Sequence, residues 1–144
     1  MDTRERILVS ACLLGVPCRY DGKSVPCEGV ICLKERAQLV PVCPEQLGGL
    51  ATPRTPAERR GESVVTRDGK DVTAQYRRGA QEALRLARLF GCAKAILKSR
   101  SPSCGCGLIY DGSFSGKLIP GEGVTAQLLR ENGVEVCGEM DASR

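Results

Sequence analysis

Ile7-Leu8-Val9-Ser10-Ala11-Cys12 reads as a short buried strand. The apolar run is too brief for a helix of ordinary length, and Gly15 and Pro17 force a loop soon after it. A cysteine therefore stands at the strand's C-terminal end, and the arrangement recurs twice. Leu39-Val40-Pro41-Val42 predicts a second strand ending in Cys43-Pro44-Glu45, although Pro41 has no N–H to give a sheet ladder. Ala93 to Lys98 predicts a third, which empties into Ser99-Arg100-Ser101-Pro102-Ser103-Cys104-Gly105-Cys106-Gly107.

The intervening segments carry helical signals. A short helix is expected around Glu28 to Gln38. From Thr73 to Phe90, Tyr76, Ala80, Ala83, Leu84, Ala87 and Phe90 form one apolar stripe, Thr73 is placed to cap the start, and Gly91 is placed to end it. Arg77, Arg78, Arg85 and Arg88 fall largely on the wet side of that helix. A last helix is expected from about Val124 to Asn132, closed by Gly133, with Val134 to Cys137 as the final strand. Two segments read differently. The stretch from Gly48 to Gly61 has the composition of an ordered loop or lid, and Ser63 to Val72 reads as a hairpin turning at Asp68-Gly69. A glycine-rich loop is expected through Ile109-Tyr110-Asp111-Gly112 and on to Gly116.

Strands alternating with helices define an α/β fold: a single Rossmann-like domain over residues 1–144, with a short, mostly parallel sheet flanked by helices and a small β-hairpin. In such sheets ligands bind beyond the carboxyl ends of the strands. Cys12, Cys43 and the Cys104 loop all leave from that edge, so three positions distant in sequence are expected at one site.

Composition narrows the chemistry. The chain of 144 residues has nine cysteines and no histidine. An odd number of thiols without an export signal points away from a disulfide framework and toward a reducing, cytoplasmic setting. The absence of histidine removes the usual general base and every mixed Cys/His zinc site. A formal charge of +4 with arginines interspersed among acids does not demand duplex nucleic acid, and five scattered aromatic residues give no base-stacking platform. No run approaches the roughly 20 apolar residues of a membrane span. On residues alone, three readings of the converging thiols stay open: an iron–sulfur cluster, a structural zinc ion, or thiol chemistry with ordinary packing.

Several passages carry a resemblance. Ser10-Ala11-Cys12-Leu13-Leu14-Gly15 with Arg19-Tyr20-Asp21-Gly22, Cys43-Pro44-Glu45 with Gly48-Gly49-Leu50, and Lys98-Ser99-Arg100-Ser101-Pro102-Ser103-Cys104-Gly105 are similar to the thiouracil desulfidase family. The likeness continues through Asp71-Val72-Thr73, Ile109-Tyr110-Asp111-Gly112 and Gly123-Val124-Thr125-Ala126, nearly the whole chain. It implies a [4Fe–4S] enzyme that removes sulfur from a thiolated pyrimidine without net redox change. Cys12, Cys43 and Cys104 would be the cluster ligands and one iron would stay open. The products would be the carbonyl pyrimidine and hydrogen sulfide.

Such a reaction needs a group to activate water and another to handle the ring proton. Glu45, two residues beyond Cys43, is the first candidate for the base. Asp21 would orient the water or the ring, and Ser101 would hydrogen-bond the substrate or relay a proton. Arg19, Arg54 and Ser103 are the candidates for substrate binding. Arg100, Lys117 and the N-terminus of the helix near Val124 are further places where a nucleotide phosphate would find donors. The substrate is expected to be thiouracil or thiouridine monophosphate. Each site residue also has a plainer role: Asp21-Gly22 as a turn, Glu45 as a solvated acid, Ser101 and Ser103 as backbone caps. Two other classes compete. An electron-transfer or structural cluster would need a fourth ligand, Cys18 or Cys106. A persulfide-based sulfur transferase would use a reactive thiol such as Cys104.

Overall fold

A computed structural model describes residues 3–142. Along the chain run β1 (Glu5–Ser10), α1 (Glu28–Ile31), β2 (Ala37–Val42), α2 (Pro44–Leu47), β3 (Ala57–Arg60), β4 (Ser63–Thr66), α3 (Thr73–Phe90) and β5 (Lys94–Leu97). They are followed by β6 (Leu108–Tyr110), β7 (Leu118–Pro120), α4 (Val124–Glu131), β8 (Glu135–Gly138) and α5 (Glu139–Ala142). β1 occupies the interior of a four-stranded sheet of order β2-β1-β5-β8, parallel throughout.

The continuous apolar run of β1 is what a strand covered on both faces requires. Leu8 and Leu97 face one layer, where Ala83, Leu84 and Ala87 of α3 and Leu129 of α4 pack. Ile7, Val9 and Ile96 face the other, against Leu13, Val30 and Leu33. Leu8, Leu97 and Leu129 are fully buried, each worth about 2 kcal/mol of hydrophobic stabilisation. Pro41 lies within β2, and this is tolerated because β2 is an edge strand.

Several expectations are corrected. The helix foreseen over Glu28 to Gln38 is only α1 and a 3-10 turn at Cys32–Glu35, because Ala37 already pairs with Glu5. The main hairpin is β3 with β4, so it begins inside the stretch foreseen as a loop and turns at Gly61, whose φ is +56°. The Asp68-Gly69 turn exists, with Gly69 N–H donating to Thr66 O at 2.9 Å, but it carries only a single bridge between Val65 and Asp71. The glycine-rich segment foreseen as a loop is the connection between the antiparallel strands β6 and β7, its first residues belonging to β6. α3 runs over the expected residues and ends at Gly91 (φ +69°), yet Thr73 is not its cap. The Thr73 hydroxyl accepts from Val64 N–H at 2.9 Å, and Asp71 accepts from Thr73 N–H at 2.8 Å.

One contact fixes the short helix α2 in place. A Cβ on Gly79 would fall 1.9 Å from the Pro44 carbonyl oxygen, and one on Gly48 would fall 2.0 Å from that of Gln75. The backbones of α2 and α3 therefore touch, and no side chain fits between them. Gly79→Ala is expected to cost about 3 kcal/mol, the upper range for forced overpacking, read as a lowered urea midpoint.

A candidate active site walled by cysteines

The three strand ends foreseen as a meeting point enclose a cavity of about 470 Å³. β1 runs into a 3-10 turn, Ala11–Leu14, that carries Cys12. β2 ends at Cys43, the residue preceding α2, so Glu45 falls in the first turn of that helix. β5 opens into the Lys98–Cys104 loop. β2 and β5 flank β1 on opposite sides, so the cavity sits where connections diverge from a central strand, the usual ligand position in open parallel sheets.

Local hydrogen bonds shape the Cys104 loop. The Ser101 hydroxyl accepts from both Ser103 N–H and Cys104 N–H at 3.1 Å, and Gly105 N–H donates to Ser101 O at 2.8 Å. α4 closes onto the same loop. Val124 N–H donates to Pro102 O at 2.8 Å, and Thr125 and Ala126 N–H donate to Ser103 O. Gly123 permits this approach, since a Cβ there would meet the Ser103 carbonyl at 2.3 Å.

Cys12, Cys43 and Cys104 all line the cavity. Burial pushes the Cys12 thiol up to about 11, aided by the Glu45 carboxylate and opposed by Lys98. Burial, again reinforced by Glu45, pushes Cys43 up to about 12. Cys104 is raised well above its ordinary value by burial first and Glu45 second, with partial relief from the Ser10 hydroxyl. The protein alone therefore disfavours three thiolates here, and a bound cationic centre would supply the missing countercharge. Among the described residues no three Cys, Asp or Glu side chains gather tightly enough to share one metal ion. The thiols are not arranged as a closed tetrahedral zinc site.

Glu45 also lines the cavity, and its carboxylate pairs with Arg54 at 3.0 Å, the two side chains being only 15% and 9% exposed. Arg54 further donates to Cys18 O at 3.1 Å and to Thr52 Oγ1 at 3.0 Å. Arg54, expected as a substrate ligand, lines the cavity and also ties Glu45, the Cys18 loop and the Thr52 segment together. Arg19 does line the cavity and lies over the Tyr20 ring at 5.6 Å. Ser101 lines it as well, with its acceptor capacity turned to the backbone.

Two candidates are not brought to the site. Asp21 is exposed and accepts from Lys23 N–H at 3.0 Å, the local turn of the plainer alternative. Ser103 is 0% exposed and pairs with Thr125 at 2.8 Å, behind the loop rather than in the cavity. The helix near Val124 offers no phosphate cradle, because its first N–H groups are taken by Pro102 and Ser103. Lys117 does not line the cavity, though Arg100 does. Cys106 turns away, its thiol donating to Val136 O at 3.7 Å. Cys18 does reach the cavity wall, where the Cys43 thiol donates to its carbonyl at 3.7 Å.

Other lining residues carried no sequence signal. Tyr76 of α3 lines the cavity, as do Glu58, Arg67 and Phe114. Glu58 accepts from Gly112 N–H at 3.0 Å and Phe114 N–H at 3.1 Å, while Arg67 lies over the Phe114 ring at 5.8 Å. These contacts join the β3–β4 hairpin to the β6–β7 loop.

Fold and cavity together define the class: a Rossmann-like α/β protein with a ligand cavity walled by thiols at the carboxyl ends of its strands. The chain belongs to the 2-thiouracil desulfurase family, whose model matches residues 7–141. It is 46% identical over 145 residues to the Bacillus subtilis (strain 168) protein YbbK, an uncharacterized protein, covering 94% of this chain and 96% of that one. It is also similar to a solved structure of the [4Fe–4S]-dependent thiouracil desulfidase TudS, at 50% identity and a TM-score of 0.91, over 96% of this chain and 93% of the other.

Proposed function

We propose that this protein is a [4Fe–4S]-dependent desulfidase that converts a thiolated pyrimidine, thiouracil or its nucleoside monophosphate, and water into the carbonyl pyrimidine and hydrogen sulfide. The observation that carries the reading is three thiols, buried Cys12 and Cys104 and half-buried Cys43, lining one cavity together with the Arg54-paired carboxylate of Glu45. The donor set suits the group: soft thiolates from three separate elements, at wider spacing than a single ion requires. Bound by three cysteines, the cluster would supply a Lewis-acidic centre with affinity for sulfur.

The chain's own residues supply the rest. Glu45 accepts a proton from the attacking water, and Arg54 fixes the carboxylate's position while it does so. Ser101 keeps its O–H free to donate to the substrate, because its oxygen is already occupied by two backbone donors. Arg19 and Arg100 face the cavity as cations without a carboxylate partner among the described residues, a fitting environment for an anionic ring or phosphate.

The test is anaerobic reconstitution followed by addition of 2-thiouracil. About four irons per chain, with sulfide and uracil released in equal amounts, support the reading. Iron bound without sulfide release refutes it.

Cys18 favours a second reading, a cluster with four cysteine ligands that only carries electrons. Its carbonyl accepts from the Cys43 thiol at 3.7 Å, a contact that holds Cys18 beside Cys43 at the cavity wall. Cys18 is accordingly a neighbour of a ligand. Cys18→Ser is expected to keep about four irons per chain and measurable turnover. Iron loss in that variant would instead place Cys18 in the ligand set.

A further inference from the structure

Tyr76 was legible in the sequence only as one member of the apolar stripe of α3, and the structure gives it a second aspect. The residue is 4% exposed, and its ring packs with Val64 and Val72. It nevertheless lines the cavity. No group among the described residues hydrogen-bonds its hydroxyl. No buried side-chain oxygen or nitrogen among them is sealed away without a partner, so this hydroxyl opens into the cavity space.

Several other polar groups that line the cavity are engaged elsewhere. Glu45 is held by Arg54, Ser99 is bonded to Glu139, and the Ser10 hydroxyl accepts from Lys98 N–H at 2.9 Å. A hydroxyl that opens into the cavity without a protein partner is available to donate to a ligand that displaces water from it. Its chemistry is also fixed. Burial, reinforced by the Glu45 carboxylate, raises the Tyr76 hydroxyl above its ordinary value, so it remains an uncharged O–H donor at any working pH. Its position is equally constrained. Gly79, one turn along the helix, is in backbone contact with Pro44, so α3 cannot shift relative to the Cys43 and Glu45 turn.

We propose that the Tyr76 hydroxyl binds the pyrimidine, donating a hydrogen bond to the exocyclic oxygen that the substrate already has and the product retains. This rests on the desulfidase reading for the identity of the ring. A flat heterocycle offering one such acceptor matches a single neutral donor on a rigid aromatic stem. The same donor would hold uracil as well as thiouracil, because that oxygen takes no part in the exchange of sulfur for oxygen.

The experiment compares wild type with Tyr76→Phe, a change that removes no intramolecular hydrogen bond and should leave melting temperature and iron content unaltered. Uracil binding to the cluster-loaded protein, measured by calorimetry, is expected to weaken about tenfold in the variant, and kcat/KM for 2-thiouracil to fall at least as far, mainly through KM. Two analogues, 2-hydroxypyrimidine and 4-hydroxypyrimidine, each lack one exocyclic oxygen. The analogue without the bonded oxygen should bind both proteins equally, a result that a merely structural role for Tyr76 would not produce.

The proposal is overturned if uracil binds both proteins within twofold, if wild type does not bind uracil, if both analogues discriminate as uracil does, or if Tyr76→Phe loses iron. Failure of the desulfidase reading shows separately, as no sulfide from 2-thiouracil in the loaded wild-type protein.

Discussion

Glu45→Gln is expected to lower turnover of 2-thiouracil by about 10²- to 10⁴-fold while iron content and melting temperature stay close to wild type. The amide keeps the carboxylate's shape and can still accept a hydrogen bond from Arg54, so α2 and the Arg54 tether remain in place. What it cannot do is take a proton from water. The absence of histidine leaves no imidazole to substitute, and Asp21 is engaged in a turn on the exposed surface. Sulfide release and uracil formation, measured on protein of equal iron content, check the result. Undiminished turnover would remove Glu45 from the chemistry.

Cys104→Ser is expected to abolish both iron binding and sulfide release in a chain that still folds. Cys104 is the most deeply enclosed of the three thiols, and its loop is built by Ser101, Gly105 and the first turn of α4, none of which depends on the sulfur. Serine is close in volume, so far-UV circular dichroism should match wild type. A hydroxyl is a poor soft donor, and loss of one of three ligands leaves the group weakly held. Iron analysis after anaerobic reconstitution reads the effect. A variant that retains wild-type iron would show that Cys104 is not a ligand, and the reading of the cavity would fall with it.

The parallel core was legible because β1, β2 and β5 are short apolar runs, each ended by a change in composition, and because α3 has a long stripe between two clear boundaries. The convergence of Cys12, Cys43 and Cys104 followed from topology, since strand ends in a parallel sheet share one edge. The hairpin was misplaced because β3, Ala57–Arg60, carries two arginines and a glutamate and has no β-branched residue to announce it. β6 and β7 are three residues each, too short to show a period. Among the site residues, proximity in sequence misled twice. Asp21 and Ser103 stand near the right motifs, yet each is claimed by its own backbone turn or by a partner behind the loop. Tyr76 went unnoticed because an aromatic ring at a helical period looks like core whether or not its hydroxyl emerges into a cavity.

Pro41 has a consequence for the molecule outside its own fold. β2 borders the sheet, and a bare strand edge is a ready template for another chain. A proline two residues before Cys43 removes one N–H from that template and interrupts any ladder that a neighbouring molecule would build along it. The strand that delivers Cys43 to the cavity is thereby guarded against intermolecular pairing, which would otherwise compete for this segment whenever chains are concentrated.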